Sequence, residues 1–174
     1  MSRTKITRAG MLLALLLAVQ ALRLVIPLPP FITMFGIGSA VNACLLVAAL
    51  YVGVRTALLM AVVAPTVAYL QQMLPVPVLI VPVAAANAVY ILAFAVLYRK
   101  SPYLAVGVAA LAKMAGMYVA IDWVLQFVAL PERIAALLKM MLSWPQLVTG
   151  VLGGALCLVI VARLGKTGLG PCER

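Results

Sequence analysis

The sequence predicts an all-α integral membrane protein, a bundle of six transmembrane helices with both termini cytoplasmic. Three observations point there. The 174-residue chain is 67% hydrophobic and only 9% charged, whereas a soluble domain keeps about a quarter of its residues charged. Apolar runs long enough to cross a bilayer recur along the sequence. The basic residues sit singly or in twos and threes at the ends of those runs, as topology signals do. Residues 1–174 read as one membrane domain.

The spans follow in order. The first covers residues 7–26 and stops at Pro27-Leu28-Pro29-Pro30. Further apolar runs follow it, so it reads as a permanent anchor and not as a cleaved signal peptide. The second covers 38–54 and the third 56–74, with Arg55 between them. The fourth covers 78–98 after Pro75-Val76-Pro77, and Pro82 is an alternative first-turn residue, since proline suits that position. The fifth, 102–129, is long enough to be tilted or kinked, and the sixth covers 143–164.

Charge sets the orientation. Arg3, Lys5 and Arg8 precede the first span, Arg55 follows the second, Arg99 and Lys100 follow the fourth, and Arg163, Lys166 and Arg174 close the sixth. With six spans all of these fall on one side, which the positive-inside rule makes cytoplasmic. The other side holds Arg133 and Lys139, partly balanced by Glu132. Its connections are also longer and richer in proline, and long loops tend to carry function. A solute handled by this protein is therefore expected from outside.

Several function classes drop out. The net charge of +10 is dispersed and forms no nucleic-acid patch. Cys44, Cys157 and Cys172 have no paired spacing, which argues against a disulfide framework or zinc site. There is no histidine, which disfavours histidine-based metal sites and acid–base chemistry. No GxxxxGK[ST] loop is present to hold phosphates. No enzyme activity, cofactor or metal is expected.

Polar residues inside spans are costly and are the candidates for function. Arg23 sits near the outer end of the first span, where a ligand role competes with snorkelling to the headgroups. Asn42 in the second span and Asn87 in the fourth are binding candidates or interhelical hydrogen bonds. Tyr118, Asp122 and Gln126 repeat every fourth residue and make one stripe on the fifth span. Asp122 is the only carboxylate within a span, expected to line a wet cavity or to pair with Arg23. Lys113 lies nine residues earlier, about 13 Å of rise and half a turn away, so it needs a different partner. Gln71 and Gln72 close the third span, while Trp144 and Gln146 open the sixth, Trp144 doubling as an interfacial anchor. Together these polar residues gather in the outer half, the layout of a small-molecule pocket open to the outside.

Small residues mark close packing. Gly150, Gly153 and Gly154 form one small surface, and Ala84, Ala85, Ala86 and Ala88 another. On the first span Gly10, Ala14 and Ala18 fall on a single stripe among leucines, in GMLLALLLA.

A basic N-terminus leading into that small-xxx-small stripe resembles the S components of energy-coupling factor (ECF) transporters. So do the length, the six spans, the prolines after the first span and the closing segment SWPQLVTGVLGGAL. The resemblance implies that Gly10, Ala14 and Ala18 dock a transmembrane coupling protein that works with two ATPase subunits. It further implies capture of a vitamin or related micronutrient at the cell (cytoplasmic) membrane, with toppling of the subunit to release it inside. No residue set points to a particular vitamin. An excess of Arg23 and Lys113 over Asp122 suggests a carboxylate or phosphate on the substrate. The competing reading is a non-catalytic scaffold subunit of a cell-envelope complex, using the same stripe without a ligand. A membrane-embedded enzyme and a self-sufficient secondary transporter fit less well, for lack of acid–base groups and of an inverted repeat.

Overall fold

The computed structural model describes residues 3–26, 29, 32–74, 76–127, 133, 136, 139–140 and 142–166. All regular structure among them is helical. The helices are α1 (Arg3–Val25), α2 (Gly38–Tyr51), α3 (Val54–Leu70), α4 (Ile80–Leu97), α5 (Pro102–Phe127) and α6 (Trp144–Gly165). A π-helical turn, Thr33–Ile37, runs into α2, and a 3-10 turn, Pro77–Leu79, runs into α4. Counting those turns, five units are long and apolar enough to cross a membrane, which suits a multi-pass membrane bundle. The remaining helix, α3, is apolar but has only 17 residues.

The ends of the helices differ from the expected spans for local reasons. The second helical unit begins at Thr33, five residues early, because the π-turn extends α2 toward the prolines. It ends at Tyr51, where Gly53 adopts φ 129° and ψ 155° and Val52 and Gly53 both donate to the Ala48 carbonyl at 3.0 Å. That backbone is left-handed territory suited to glycine. The break therefore falls on Gly53, two residues before the Arg55 that marks it by charge. α3 stops at Leu70, four residues early, in a turn where Gln72 takes φ 58°. α4 begins at Ile80, so Pro82 lies in its first turn, where a missing N–H costs nothing.

α2 is apolar on all sides, and residues 42–49 are buried. Such a helix belongs at the centre of a bundle. It packs against α1, α3, α4 and α6, while α5 lies between α4 and α6. α1 is peripheral, burying only Leu16 and Gln20 fully.

Small residues set the spacing on the α6 side. A Cβ on Gly153 would come within 2.5 Å of Asn42 Cβ and 2.7 Å of the Ser39 carbonyl oxygen. One on Gly154 would meet Val106 Cγ1 at 2.5 Å, and one on Gly150 would meet Ala110 Cβ at 3.0 Å. These glycines hold α6 against α2 and α5 at backbone contact, the close approach by which helices associate in lipid.

Candidate functional site

Four helices bring a polar cluster into the interior. The buried face of α5 runs through Ala109, Lys113, Met117, Ile121 and Val124, a helical stripe of spacing four, four, four and three. Lys113, only 3% exposed, is the one charged member of that stripe. Its ammonium donates to Asn42 Oδ1 on α2 at 2.5 Å and stands 5.2 Å from the centre of the Tyr90 ring on α4. Tyr90 is fully buried, and its hydroxyl donates to the Gly150 carbonyl of α6 at 2.6 Å. Asn42 and Asn87 are 2% and 4% exposed, and Ser39 and Thr149 are also buried.

The depth of this cluster follows from the aromatic residues of α5. Tyr103 is 83% exposed at one end, and Trp123 and Phe127 are exposed at the other, stacked edge to face at 4.9 Å. Exposed aromatics of this kind favour membrane–water interfaces. Twenty residues from Tyr103 to Trp123 give about 30 Å of rise, the thickness of a hydrocarbon core. Lys113 is midway along that interval.

Lys113 has only neutral company. Its ammonium has three donors and no acceptor capacity. One donor serves Asn42, and the Tyr90 ring face supplies a cation–π contact. Neither carries a compensating charge. Asn87 lies on the same face of α4 as Tyr90, one turn away, and its carboxamide forms no hydrogen bond among the described residues.

The polar stripe on α5 occupies a different place from the expected cavity wall. Tyr118 and Gln126 are exposed and Asp122 is partly so. Tyr118 and Asp122 are each about 100° round the helix from Met117 and Ile121, and Gln126 lies nearly opposite the buried line. Asp122 also has a different partner from the Arg23 considered in the sequence: the Lys139 ammonium donates to Asp122 Oδ1. Arg23 sits on α1, which packs on α2 and α3, while α5 packs on α4 and α6. The same ammonium is 5.9 Å from the Tyr118 ring centre. Hydrogen bonding to Asp122 holds the Lys139 pKa above its usual value.

Trp144 is exposed and packs against Phe35 of the π-turn, ring centres 5.8 Å apart. The Gln146 backbone N–H donates to the Ser143 carbonyl in the first turn of α6. The structure thus gathers Asn42 and Lys113 directly and places Asn87 nearby. Tyr118 and Asp122 join Lys139 in a surface group.

No known family, curated protein or solved structure matches the chain.

Two groups of site residues were missed by sequence reasoning. Tyr90 is three positions from Asn87, a spacing that puts both on one helical face. Gln20 was hidden in an otherwise leucine-rich run. It is buried between α1 and α3, where its Nε2 donates to the Ala64 carbonyl at 3.1 Å and its Oε1 has no partner among the described residues. A glutamine inside a span is the signal that would have found it.

On α1 the large apolar residues divide: four leucines face the core, while Met11, Leu15 and Leu22 are exposed alongside the small residues. Leu12, Leu13, Leu16 and Leu17 pack into the core formed with α2 and α3. Gly10, Ala14 and Ala18 are exposed, and a Cβ on Gly10 would meet nothing within 4 Å.

Proposed function

We propose that this protein is the substrate-capture subunit of an ATP-driven importer of the ECF type. It sits in the cell (cytoplasmic) membrane with six spans and both termini inside. A vitamin-like small solute enters from outside and is held among the polar residues that α2, α4, α5 and α6 turn inward. The subunit then docks through Gly10, Ala14 and Ala18 on a transmembrane coupling protein carrying two ATPases.

The outward-facing stripe on α1 carries this reading. In lipid, helices associate through small residues that let backbones approach. α1 packs Leu12, Leu13, Leu16 and Leu17 inward and leaves its small stripe uncovered, flanked by the exposed Met11, Leu15 and Leu22. That arrangement supports an occupant outside the chain. A flat stripe gains dispersion contacts with a partner helix and buries no charge. The connections support the orientation: the tight turns at Gly53 and at residues 98–101 are flanked by Arg55 and by Arg99 and Lys100.

Ala14→Trp and Ala18→Trp test the reading. Reconstituted with the coupling module, each variant is expected to lose transport while ligand binding by the isolated subunit is retained. Loss of both together would mean that the stripe serves folding, and the docking assignment would fall. The first measurement is simpler. Protein purified in mild detergent is denatured and the released small molecules are identified by mass spectrometry. A stoichiometric compound supports capture. An empty protein that also gains no thermal stability from a broad panel of vitamins and precursors favours the scaffold reading.

A further inference from the structure

We infer that the solute is a monocarboxylate whose acid group is neutralised by Lys113. The inference rests on the capture reading and names the substrate class for that site.

The argument is one of charge balance. An ammonium midway across the apolar layer is costly, and such groups are found paired or lining a functional cavity. Among the described residues the Lys113 ammonium meets Asn42 on α2 and Tyr90 on α4, both neutral, and no carboxylate. Asp122 is the only carboxylate among the described residues, and Lys139 holds it. Asp122 is also about 13 Å further along α5 than Lys113. The counter-charge is therefore missing from the described protein and is supplied by the solute.

The donor set selects among anions. Lys113 is a single point charge, and no guanidinium stands beside it to offer a bidentate fork. One cation balances one negative charge. A phosphomonoester carries about −1.5 to −2 charges near neutral pH. It would leave net negative charge buried, which is strongly unfavourable. A carboxylate balances the site. Asn87 adds geometry. It lies one turn of α4, about 4.5 Å of rise, from Tyr90. A solute whose acid group reaches Lys113 would meet the Asn87 carboxamide, on the same face of α4 as Tyr90, with a second polar group. Binding would also realign the Asn42 contact, since an ammonium has donors for both.

Acid and neutral partners of the same skeleton test this. The probes are nicotinate with nicotinamide, pantothenate with panthenol, and biotin with its methyl ester, alongside inorganic phosphate and glycerol 3-phosphate. Thermal unfolding of the full chain in detergent reads binding, together with mass spectrometry of any compound that copurifies. The expected result is stabilisation by at least one acid, at least tenfold weaker binding of its neutral partner, and loss of acid binding in Lys113→Met. A neutral solute bound as tightly as its acid, or acid binding that survives Lys113→Met, overturns the inference and leaves the capture reading standing. Preference for a phosphate does the same. Absence of any copurified compound and of any stabilisation overturns both. A ligand-independent check is the double variant Asn42→Leu with Lys113→Met, which replaces the buried polar pair by apolar residues of similar size. It is expected to melt at or above the wild-type temperature without solute. A markedly lower melting temperature would make Lys113 a structural donor and overturn the assignment.

Discussion

Two lysines show how place decides the role of a charge. Lys139 donates to a partly exposed Asp122, while Lys113 is enclosed. An exposed pair contributes little to stability and is screened by salt. Asp122→Asn is therefore expected to leave thermal stability nearly unchanged. The hydrogen bond to Asp122 raises the Lys139 pKa above 10.5. A raised lysine pKa adds stability that is present below the unfolded value and fades as pH rises through the folded one. The Lys139 contribution should thus be constant near neutrality and decline only above about pH 10.5. Lysine titration by NMR in wild type and Asp122→Asn checks the direction. Tyr90→Phe removes a buried hydroxyl from the Gly150 carbonyl and is expected to cost about 1 kcal/mol in thermal unfolding. A neutral effect would show that the carbonyl needs no second donor.

Residue-level reading from the sequence succeeded in part. The rejection of a Lys113–Asp122 pair rested on helical rise and azimuth, which are fixed by the backbone. The partners themselves were not legible. Asn42 is 71 residues from Lys113, and nothing local announces that α2 and α5 meet around it. The Tyr118–Asp122–Gln126 stripe was recognised as a stripe, but its direction depends on which face of α5 meets α4 and α6. That face is set by Met117, Ile121 and Val124, whose apolar character is shared by nearly every other residue of the helix. In a chain 67% hydrophobic the usual inside–outside signal is weak, so faces are harder to read than spans.

At the scale of elements, the six apolar runs map onto α1 to α6, with ends shifted by backbone chemistry that hydropathy does not register. Gly53 and the π-turn are examples. Glycines separate into two kinds. Gly153 touches α2, so Gly153→Val is expected to overpack and destabilise the bundle by at least about 1–3 kcal/mol. Gly10 faces open space, so Gly10→Ala should leave the fold intact and raise helix stability by at most about 1 kcal/mol. Thermal unfolding of both variants in one detergent makes the comparison. Equal effects would contradict the packing described for α6.

For the whole molecule, the arrangement divides the work. α2, α4, α5 and α6 enclose the polar interior, and α1 lies at the edge, resting on α2 and α3. Under the proposed function, the binding end and the docking face are therefore built from different helices and can be altered separately. Single cysteines at Ser101 and Lys139, in a background with the native cysteines replaced, test the topology in sealed vesicles. An impermeant thiol reagent added outside right-side-out vesicles is expected to label the position at 139 and to spare the one at 101. Labelling of both or neither would contradict six spans.

α3 is the short member of the bundle. Seventeen residues rise about 25 Å, against about 30 Å for an average hydrocarbon core. Leu59, Val62 and Leu70 on its surface are exposed, an apolar flank that suits contact with acyl chains. With six spans as proposed, lipid there would shorten by about 5 Å or the helix would forgo full insertion, at a fraction of a kcal/mol per ångström. The flank is shared with α1. Under the proposed function, the docking helix α1 would then lie beside thinned lipid, and lipid thickness would become a setting on the protein itself. Thermal stability in nanodiscs should be higher with 14-carbon than with 20-carbon acyl chains.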